Sequence, residues 1–434
     1  MSNIKKFKPL IFLLVVTVIT LNLWVTSKSS LSTILASPLT SLSQILALLG
    51  IVLMSCSILI STRIKFIEKL LKGMDKAYGV HQIAGSLAFI FILSHPLLLV
   101  IQALPRIQVA TMYLFPSVNL SYTLGIFALY SMVLSFVFMA FIKLPYNIWK
   151  LTHKLLGVTF LLGSVHALMV GSDIAAFLPL KVWLSSWIGI GIFSTMYSLF
   201  FYRKFGPKFS YQIERIERTV DIVTIFLRPQ SEKVISFEPG QFVYVEFKNK
   251  KIGRELHPFS IASGINDERI QLSAKIVGDY TLKLAQNLRE GNGSLLYGPY
   301  GQFAGNASSL KNCIWIAGGI GITPFLSMLS SEIARPTDKS IHFYYTYSTK
   351  EEGSFLNQVQ VLSEKAPHVK FFDWCTQEKK RLSADVIKNH LDLAGIDAIF
   401  LCGSLSMMEG LKKQFMSIGV SEQKIIYENF AYIT

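Results

Sequence analysis

The sequence is short of cysteine and of acidic residues. Only four cysteines occur among the 434 residues, and no two of them form a CxxC pair, so neither a disulfide framework nor a structural zinc site is expected. The chain carries 27 acidic against 42 basic residues, a net charge of +15. The basic residues cluster between apolar segments, with no zinc-finger or recognition-helix signature, so nucleic acid is not an expected partner.

Charge is also scarce before residue 203, and this scarcity divides the chain. Hydrophobic residues make up 51% of the sequence, which is high for an ordinary soluble protein, and the excess lies in that first part. After residue 203, charged residues return, and Gly and Pro punctuate short β-branched and aromatic runs. We therefore expect a membrane half followed by a soluble half, with room for two or three domains.

Six stretches of the first half are long and apolar enough to span a bilayer, which requires about 20 residues. They are roughly Pro9–Val25, Leu42–Ile60, Tyr78–Leu104, Leu120–Ile142, Ile148–Val170 and Val182–Tyr202. The first stretch also fits a signal peptide, since lysines precede it and Ala36 and Ser37 are small. We expect a retained helix, because the apolar run is long and six spans give a consistent topology.

Lysine and arginine are concentrated in alternate loops. The N-terminus, the second and fourth loops and the segment after the last span hold Lys5, Lys6, Lys8, Arg63, Lys65, Lys69, Lys72, Lys76, Lys143, Lys150, Lys154, Arg203, Lys204 and Lys208. The other loops offer only Lys28, Arg106 and Lys181. By the positive-inside rule, we expect a multi-pass protein of the cell membrane with both termini and the soluble half in the cytoplasm.

Four histidines lie in the third and fifth expected spans: His81, His95, His153 and His166. Polar side chains at membrane depth are costly and usually face the interior of a bundle for a functional reason. A single histidine there is more simply an interhelical hydrogen-bonding residue. Two pairs are a different matter, because imidazole is a suitable axial ligand of haem iron, and two pairs at two depths indicate two bis-histidine haem sites.

The spacing within each pair bears on this hypothesis. The first two histidines are 14 residues apart, which advances about 21 Å along a helix and returns to within about 40° of the starting direction. The other two are 13 residues apart, which leaves the second ring about 140° from the first. We therefore expect a π-bulge or a bend in the fifth span, where Gly157 and Gly163 would permit one.

Both histidine spans run outward in the expected topology. His81 and His153 would then hold an inner haem, and His95 and His166 an outer one. Together with the segment LPYNIWKLTHKLLG (Leu144–Gly157), this pattern resembles the ferric reductase-like transmembrane domain that ferric reductases and NADPH oxidases share. The resemblance implies two haems b. If the histidines served only packing, the first half would instead be a membrane anchor or transporter.

From about Lys208 onward, runs such as YQIERI, VDIVTIFL and QFVYVEF predict antiparallel strands bounded by turns, one of them at Pro239–Phe242. The later RELHPFSIAS resembles the flavin-binding motif of the ferredoxin-reductase-like family, in the form found in ferric reductases and NADPH oxidases. The resemblance implies that Ser260 lies near the flavin N5 and that Arg254 or His257 offsets the charge of FAD. The FAD-binding residues implied here are Arg254, His257, Pro258, Phe259, Ser260, Ile261 and Ser263.

Two further segments resemble elements of the same family. KIVGDYT is similar to the second flavin element, where the chain approaches the FAD phosphates before a helix, and GPYGQF is similar to a hinge between the flavin and nicotinamide domains. The cofactor-binding residues implied are Lys275, Gly278, Thr281, Gly298 and Gly301. Without the resemblance, the Gly-Asp pair of the first segment is equally well an ordinary turn.

The segment CIWIAGGIGITPFLSML (Cys313–Leu329) predicts an apolar strand, a glycine turn and a helix. Glycines let the backbone approach a diphosphate, which the N-terminus of a helix attracts. Thr323 is a suitable N-cap and Pro324 a suitable first helical residue. A purely structural strand–helix turn would share the pattern, but we predict a dinucleotide site. Its residues are Gly318, Gly319, Gly321, Thr323 and Pro324.

Alternating strands and helices continue to the end of the chain, as expected for a parallel sheet. After the strand IHFYYTYS, Lys350 and a later basic cluster that includes Arg381 are expected near a 2′-phosphate. The basic residues fit NADPH, and the choice between NADPH and NADH stays open at this point.

Two segments near the C-terminus resemble the family's nicotinamide site. AIFLCGS is similar to a Cys-Gly element, here Cys402 and Gly403, whose cysteine lies near the nicotinamide ring. IIYENFAYIT is similar to a closing Glu-x-Phe, which implies that Phe430 shields the flavin with Glu428 close by. The alternatives are a small buried cysteine and an ordinary core phenylalanine.

These patterns together predict a multi-domain membrane protein. We expect a six-helix transmembrane haem domain at 1–205, an antiparallel β-barrel FAD-binding domain at 206–305 and an α/β parallel-sheet NAD(P)-binding domain at 306–434. The catalytic residues implied are Ser260, Cys402, Glu428 and Phe430.

The expected activity is that of an NAD(P)H-dependent oxidoreductase. Electrons would pass from cytoplasmic NAD(P)H through FAD and two haems to an acceptor outside the cytoplasm. An Fe(III) chelate is the favoured acceptor, and dioxygen, as in a superoxide-generating NADPH oxidase, is the alternative. A membrane-anchored flavin reductase or transporter without haem is the rival from another class. The sequence leaves the oligomeric state open.

Overall fold

The computed structural model describes residues 4–142, 144, 146–171, 173–305, 307–334 and 338–428. The chain forms two compact units. The helical unit comprises Met1–Leu71 and Lys76–Lys204, and the α/β unit comprises Lys72–Asp75 and Phe205–Thr434. The expected flavin-shielding residue Phe430 lies outside the described residues.

The helical unit consists of long apolar helices joined by short ones. The helices are α1 (Ile4–Thr26), α2 (Leu31–Ala36), α3 (Pro38–Ile60), α4 (Lys65–Leu71), α5 (Met74–Ala103), α6 (Ile107–Met112), α7 (Leu120–Phe141), α8 (Tyr146–Met169), α9 (Asp173–Ala176), α10 (Leu178–Met196) and α11 (Tyr202–Phe205). A π-helical segment, Tyr197–Phe201, joins the last two.

Five helices among the described residues are long and apolar enough to cross a bilayer. They are Pro38–Ile60, Met74–Ala103, Leu120–Phe141, Ile148–Met169 and the continuous run Leu178–Phe205. The first of the six expected spans forms α1, whose apolar part, Leu10–Thr26, is shorter. The outward faces of these helices carry exposed apolar side chains such as Ile90, Leu134 and Phe193. Exposed apolar surface of this extent marks contact with lipid or another apolar partner, and together with the helix lengths it fits a multi-pass membrane protein.

Helix α3 lies in the core of the helical unit. It packs against α1, α8 and α10, and side chains such as Val52 and Cys56 are completely buried. Gly50 lets α5 come close, because a Cβ atom at this position would lie 2.6 Å from Ile92 Cγ1. Helix α3 is therefore placed to touch residues of α5 along its length.

The first part of the α/β unit is an antiparallel sheet, as the alternating sequence runs predict. Its strands are β1 (Lys208–Arg218), β2 (Ile222–Pro229), β3 (Phe242–Phe247), β4 (His257–Ser260), β5 (Ile270–Lys275) and β6 (Gly293–Tyr300), in the spatial order β4-β3-β6-β1-β2-β5. An antiparallel bridge between Ile261 and Leu272 joins the two ends of this order. The sheet is thus nearly closed around an apolar core that includes Val243, Leu272 and Leu296.

The second part is the expected parallel sheet. Its strands are β7 (Asn312–Gly318), β8 (Ser340–Tyr347), β9 (Val369–Cys375), β10 (Ala398–Cys402) and β11 (Ile425–Tyr427), in the order β11-β10-β7-β8-β9. The helices of the α/β unit are α12 (Asp279–Asn287), α13 (Thr323–Ala334), α14 (Leu356–Glu364), α15 (Ala384–His390) and α16 (Leu405–Ser417). The carboxyl ends of β7 and β10 are neighbours, which is where ligands bind in open α/β sheets.

Candidate functional site

The four histidines of the helical unit meet as two pairs between α5 and α8. The ring centroids of His81 and His153 are 5.9 Å apart, and those of His95 and His166 are 6.4 Å apart. The pairing is the one expected from the sequence. Each pair takes one residue from α5 and one from α8. The two pairs lie at different levels, because the histidines are 14 residues apart on α5 and 13 residues apart on α8.

These distances fit an iron atom between the rings. Metal–nitrogen bonds to histidine are about 2 Å long, so two imidazoles on opposite sides of one iron have centroids roughly 6 Å apart. A haem iron needs only two axial ligands from the protein, because the porphyrin supplies its equatorial nitrogens. The two pairs are therefore suitable axial ligand sets for two haems.

The other ring nitrogen of each histidine is already engaged. The Nδ1 of His81 lies 2.9 Å from the Ser57 carbonyl oxygen, and that of His166 lies 2.8 Å from the Ser121 carbonyl oxygen. A carbonyl can only accept, so Nδ1 carries the proton and Nε2 has a free lone pair. The Nδ1 of His153 faces the Met139 Sδ at 3.2 Å, and sulfur is a weaker acceptor.

Helix α8 brings both of its histidines to the partner rings without the expected π-bulge. The helix is α-helical over Tyr146–Met169, so of the two alternatives expected for this span, a π-bulge or a bend, the π-bulge is not present. Seen down the axis of α8, the two histidine side chains point about 140° apart. If the direction from α8 to α5 lies midway between them, each side chain is about 70° from it. We attribute the two contacts to this arrangement, in which His153 and His166 reach α5 from opposite flanks of α8.

A cavity of about 590 Å³ surrounds the His95–His166 pair. Side chains of α3, α5, α7 and α8 line it, among them Leu48, Ile92, Leu129, Met132 and Phe160. Gly125 of α7 borders it where the imidazole of His166 passes, since a Cβ atom there would lie 2.8 Å from His166 Nδ1. The cavity is mainly apolar, with the histidines directed into it, as a haem site requires.

In the α/β unit, strand pairing brings two distant motifs to the same place. Ser260 at the end of β4 is paired with Phe242 of β3, and Phe242 is paired on its other side with Tyr300 of β6. The HPFS and GPYG segments therefore end on either side of Phe242. Phe259, in contrast, is buried in the core of the sheet, where its ring lies 6.0 Å from that of Phe247.

Glu428 comes from the other end of the chain to this place. Its Oε1 accepts a hydrogen bond from the backbone N–H of Gln302 at 2.8 Å, and a Cβ atom on Gly301 would lie 3.1 Å from the same oxygen. Burial, with the Glu428 carboxylate nearby, raises the pKa of the Cys402 thiol. The structure thus brings together Glu428, Cys402 and the GPYG segment, and the thiol is protonated at neutral pH.

His257 and Arg254 have different surroundings. The His257 ring stacks on Tyr280 with centroids 3.5 Å apart, and its Nε2 lies 2.9 Å from Glu255 Oε2. Arg254 is exposed, with its Nε 4.0 Å from Glu246 Oε1. Of the two cations expected near FAD, Arg254 has the more accessible side chain.

Several residues expected to bind FAD have structural contacts. Ile261 is completely buried at the closure of the sheet, and the Ser263 hydroxyl accepts from the backbone of Gln271 at 3.2 Å. Thr281 Oγ1 accepts from the backbone N–H groups of Val277 and Gly278, each at 3.1 Å. Gly278 precedes α12 as its N-cap, so the expected turn before a helix is present.

Lys275 of β5 forms ion pairs with two carboxylates, one of them on the loop after β8. Its Nζ lies 3.1 Å from Glu352 Oε1 and 3.4 Å from Asp221 Oδ2. The hydrogen bond with Glu352 raises the pKa of Lys275, and the same bond lowers the pKa of Glu352. Two carboxylates thus already pair with this lysine, which the resemblance implies to be an FAD-binding residue.

The glycines at the ends of β7 and β10 are required for different physical reasons. A Cβ atom on Gly321 would collide with the carbonyl of Cys402 and lie 2.6 Å from the backbone nitrogen of Gly403, and one on Gly403 would lie 3.1 Å from Gly318 Cα. Gly321 and Gly403 are needed because the loops after β7 and β10 pack backbone against backbone. A Cβ atom on Gly318 would instead meet the Met407 side chain. Gly319 differs, because its φ is +52° and a Cβ atom there would have no described atom within 4 Å, so it leaves space for a ligand.

Thr323 is not the N-cap that the sequence predicts. Its φ and ψ are −55° and −45°, which are helical values, because the 3₁₀ turn Gly319–Ile322 runs directly into α13. The extended residue that opens this run is Gly318, with φ −114° and ψ 117°. Thr323 Oγ1 donates to the Ile320 carbonyl at 3.1 Å, and Pro324 lies in the first turn of α13.

The expected 2′-phosphate residues lie on the loops after β8 and β9. Lys350 Nζ is 2.7 Å from Glu378 Oε1, and the backbone N–H of Gln377 donates to the Ser348 carbonyl at 3.1 Å. The two loops are therefore adjacent, and Arg381 lies exposed a few residues beyond Glu378.

The structure adds residues that the sequence analysis did not find. In the helical unit these are Ser43, Ser57, Ser121, Gly125 and Met139, all in contact with a histidine ring. One signal was available, because Ser43 and Ser57 have the same 14-residue spacing as His81 and His95. In the α/β unit, Tyr300 and Gln302 were part of a quoted motif, but only the fold shows their contacts with Phe242 and Glu428.

Comparison with known proteins matches three family models to successive parts of the chain. Residues 46–164 match the ferric reductase like transmembrane component, residues 215–318 match an FAD-binding domain and residues 315–413 match an oxidoreductase NAD-binding domain. The first match includes His81, His95 and His153, while His166 lies just beyond its end, and the other two include the HPFS segment and the glycine turn.

Curated relatives and solved structures are similar over different lengths. The chain is 23% identical to flavohemoprotein A of Dictyostelium discoideum over 51% of its length, and 28% identical to the flavohemoprotein of Pseudomonas putida over 50%. These matches span 59% and 57% of the relatives, so the chain covers a little over half of their length.

A flavohemoglobin structure from Malassezia yamatoensis, with bound FAD and heme, is similar in fold with a TM-score of 0.51 and 18% identity, over 91% of this chain and 97% of that one. The α/β unit carries FAD- and NAD-binding domains of oxidoreductases, so the chain is an NAD(P)H oxidoreductase. With the ferric reductase-like helices before them, this protein has the domain architecture of the ferric reductase and NADPH oxidase family.

Proposed function

We propose that this chain carries electrons from NAD(P)H through FAD and two haems b across a membrane to an acceptor on the opposite side. The observation that carries the proposal is the arrangement of His81, His95, His153 and His166 as two ring pairs between the same two helices. A packing role would require neither two levels nor the ring separation that suits an iron atom.

The histidine pairs would hold the haems through Nε2, because Nδ1 is engaged by α3 or α7. When bound, each haem supplies a centre that gains and loses one electron. The chain fixes the imidazole orientation and surrounds the His95–His166 pair with apolar side chains that exclude water. A dry, apolar surrounding also tunes the potential of a haem.

In the α/β unit, the region around Phe242 is the proposed place of hydride transfer. Ser260 would donate a hydrogen bond to the flavin, with Cys402 and Glu428 on the nicotinamide side and Phe430 covering the ring. When bound, FAD takes up a hydride and releases electrons singly. The convergence of Ser260, the GPYG segment and Glu428 around Phe242 supports this assignment.

The proposed FAD-binding set is Arg254, His257, Pro258, Phe259, Ser260, Ile261, Ser263, Gly278, Thr281, Gly298 and Gly301. Within it, Ile261 and Ser263 contribute by closing the sheet that presents the others. For the nucleotide, the open backbone at Gly319 and the N-terminus of α13 favour a diphosphate. Gly318, Gly321, Thr323 and Pro324 build that turn, and Gly403 after β10 packs against it.

We propose NADPH as the favoured nucleotide. Lys350 and Arg381 lie on adjacent loops after β8 and β9, and a 2′-phosphate would replace Glu378 as the partner of Lys350. The variants Lys350→Ala and Glu378→Gln would separate the two nucleotides. We expect the first to raise KM for NADPH more than KM for NADH, and the second to lower KM for NADPH.

We propose that the chain crosses the cell membrane six times, with both termini and the α/β unit in the cytoplasm. Helix α1 supports the sixth span, because Leu13, Val16 and Trp24 are buried among the other helices and Trp183 Nε1 donates to Thr20 Oγ1 at 2.9 Å. Domain bounds of 1–205, 206–305 and 306–434 are proposed, and the division of the chain between Lys204 and Phe205 supports the first of these boundaries to within one residue.

The acceptor is proposed to be an Fe(III) chelate. The match to the ferric reductase like transmembrane component supports this choice, while the loops expected outside the cytoplasm, which are short and nearly uncharged, favour neither acceptor. Dioxygen is the other candidate, and inhibition of NADPH-driven cytochrome c reduction by superoxide dismutase would identify it. Direct reduction of Fe(III) chelates that is insensitive to the dismutase would support the ferric reductase function instead.

The central test is a reduced-minus-oxidised spectrum of the purified full chain after expression with ample haem, with haem and flavin counted per chain. We expect two haems b and one FAD. A preparation with flavin but without Soret and α-band absorbance would overturn the proposal in favour of a membrane-anchored flavin reductase.

A further inference from the structure

Two serines of α3 contact the α5 histidines in the same way. Ser57 Oγ lies 2.8 Å from His81 Nδ1 and donates to the His81 carbonyl at 3.0 Å. In return, the Nδ1–H of His81 is directed at the Ser57 carbonyl, 2.9 Å away. Each residue therefore uses both its side chain and its backbone to hold the other.

The second contact repeats the first one along the helix. Ser43 Oγ lies 2.7 Å from His95 Nδ1 and donates to the His95 carbonyl at 2.9 Å, while His95 Nδ1 is 3.2 Å from the Ser43 carbonyl. The serines are 14 residues apart, as are the histidines, and the order is reversed because the helices are antiparallel. A single contact of this kind is weak evidence, but two equivalent contacts with matched spacing on facing helices indicate that both serines have the same role.

We propose that Ser43 and Ser57 are positioning residues that fix the tautomer, the orientation and the basicity of the two α5 haem ligands, a role that rests on the proposed haem function. The hydroxyl proton is given to the histidine carbonyl, so the lone pairs of Oγ face Nδ1. Two oxygen atoms then accept from one Nδ1–H, which directs Nε2 away from α3 and raises its basicity.

The α8 histidines have different partners. His166 Nδ1 contacts the carbonyl of Ser121, whose hydroxyl is directed at Asn119 Oδ1 at 2.8 Å. His153 Nδ1 contacts the sulfur of Met139. Each proposed haem would therefore have one ligand held by two acceptor oxygens from α3 and one ligand with a single acceptor from α7. That acceptor is a carbonyl oxygen for His166 and a thioether sulfur for His153.

The close packing around Ser57 supports a specific contact between this serine and His81. Gly85 of α5 lies one turn after His81, and a Cβ atom there would be 3.2 Å from Ser57 Oγ, which is tighter than an ordinary contact. Both serine side chains are almost completely buried, where a hydroxyl without partners would be costly. The histidines supply those partners, so the serines and ligands are mutually dependent.

The test compares Ser43→Ala, Ser57→Ala and the matched control Ser55→Ala in the full chain loaded with haem. Ser55 is equally buried on the same helix, but its hydroxyl donates to Ile51 within that helix at 2.9 Å. Alanine favours helix, so α3 should be retained in all three. Redox titration followed in the Soret band gives the potential of each haem, and transfer of haem to an acceptor protein gives its retention.

We expect Ser57→Ala to raise the potential of one haem and Ser43→Ala that of the other, because a less basic imidazole stabilises the oxidised iron less. Loss of such an outer partner weakens metal binding on the order of 10-fold to 100-fold, so the affected haem should also leave faster. Ser43→Thr, which restores a hydroxyl, should return the potential of its haem towards that of the unchanged protein. Ser55→Ala should alter neither haem.

Three results would overturn the inference. If the unchanged protein holds two haems and both potentials stay the same in Ser43→Ala and Ser57→Ala, the serines have no positioning role, while the proposed function stands. If the unchanged protein holds no haem, the inference falls together with the proposed function. A shift of both haems in every variant, Ser55→Ala included, would also reject it, since that reports general loosening of the helices.

Discussion

The candidate cofactor site of the helical unit is formed by side chains, whereas that of the α/β unit is formed mainly by backbone. In the helical unit, the site consists of side chains: imidazoles from α5 and α8 face each other, and serines from α3 hold two of them. In the α/β unit, the nucleotide turn depends on backbone, because Gly321 and Gly403 let the loops after β7 and β10 touch and Gly319 leaves an open edge.

The difference follows from what each environment leaves available. Helices in a membrane satisfy their backbone groups internally, because lipid offers no hydrogen bonds, so only side chains remain to bind a cofactor. At the end of a parallel strand, the turn into a helix leaves free N–H groups that attract anions. Substitutions should accordingly delete a ligand in the first unit and displace a loop in the second.

The largest expected effect is loss of one haem in His95→Ala. The variant removes one of the two proposed haem ligands of the His95–His166 pair and leaves the His81–His153 pair, whose rings are 5.9 Å apart. We expect the haem count to fall from two to one and electron transfer to the acceptor to stop, while NAD(P)H still reduces the flavin. Loss of both haems in this variant would contradict two independent sites.

The next largest effect is expected for Gly321→Ala. Its Cβ atom would meet the backbone of Cys402 and Gly403, and overpacking of this kind costs about 1–3 kcal/mol. We expect a lower melting temperature of the α/β unit and a higher KM for NAD(P)H, with both haem spectra unchanged. Gly410→Ala is the control, since a Cβ there would have no neighbour within 4 Å among the described residues and should be harmless or stabilising.

A smaller effect is expected for Gly125→Ala in the helical unit. A new methyl group would lie 2.8–3.0 Å from three atoms of the His166 ring, so the imidazole must turn. We expect a shifted potential and faster loss of the haem at the His95–His166 pair only. Gly189→Ala on α10 is the control, because a Cβ atom there has no neighbour within 4 Å among the described atoms, and equal changes in both variants would show that the ring contact is irrelevant.

The sequence predicts more of this molecule where chemistry is tied to residue type. Histidine in an apolar span is rare enough that four positions and their pairing follow from spacing and topology. The flavin and nucleotide motifs likewise place strands and turns correctly, as with the turn before β3 and the strand that ends at Cys402. These features are local, and local patterns are what a sequence displays directly.

The remaining features depend on contacts between distant segments. Thr323 matches an N-cap by type, but the 3₁₀ turn before it makes it helical. The spacing of 13 in α8 is unfavourable when one helix is considered alone, and only the position of α5 shows that two flanks can serve. Lys275 stands in a motif that suggests a phosphate partner, whereas folding brings Glu352 to it.

The smallest effect is expected for Lys275→Ala, which distinguishes these two roles. The ion pair is about one-third exposed at both partners, so it should contribute at most about 1 kcal/mol to the stability of the α/β unit. Lys275 has a raised pKa and Glu352 a lowered one.

The pair's contribution is therefore present between the ordinary pKa values of 4.5 for Glu352 and 10.5 for Lys275. It is lost as the pH falls through the lowered pKa of Glu352 or rises through the raised pKa of Lys275. Thermal unfolding of the flavin-loaded protein across this range should show a small difference between Lys275→Ala and the unchanged protein that vanishes at both ends. Lys283→Ala, an exposed lysine on α12, should show none.

FAD retention decides the role of Lys275. If the lysine serves only to join the two sheets, Lys275→Ala keeps its FAD through dialysis as the unchanged protein does. If it also binds a phosphate of FAD, the loss of a charge-assisted hydrogen bond of about 1.5–3 kcal/mol should weaken FAD binding roughly 10-fold or more. The second result would show that the α/β unit, like the helical unit, depends on a single charged or basic side chain, and the contrast between the two units would be smaller than the glycine turn suggests.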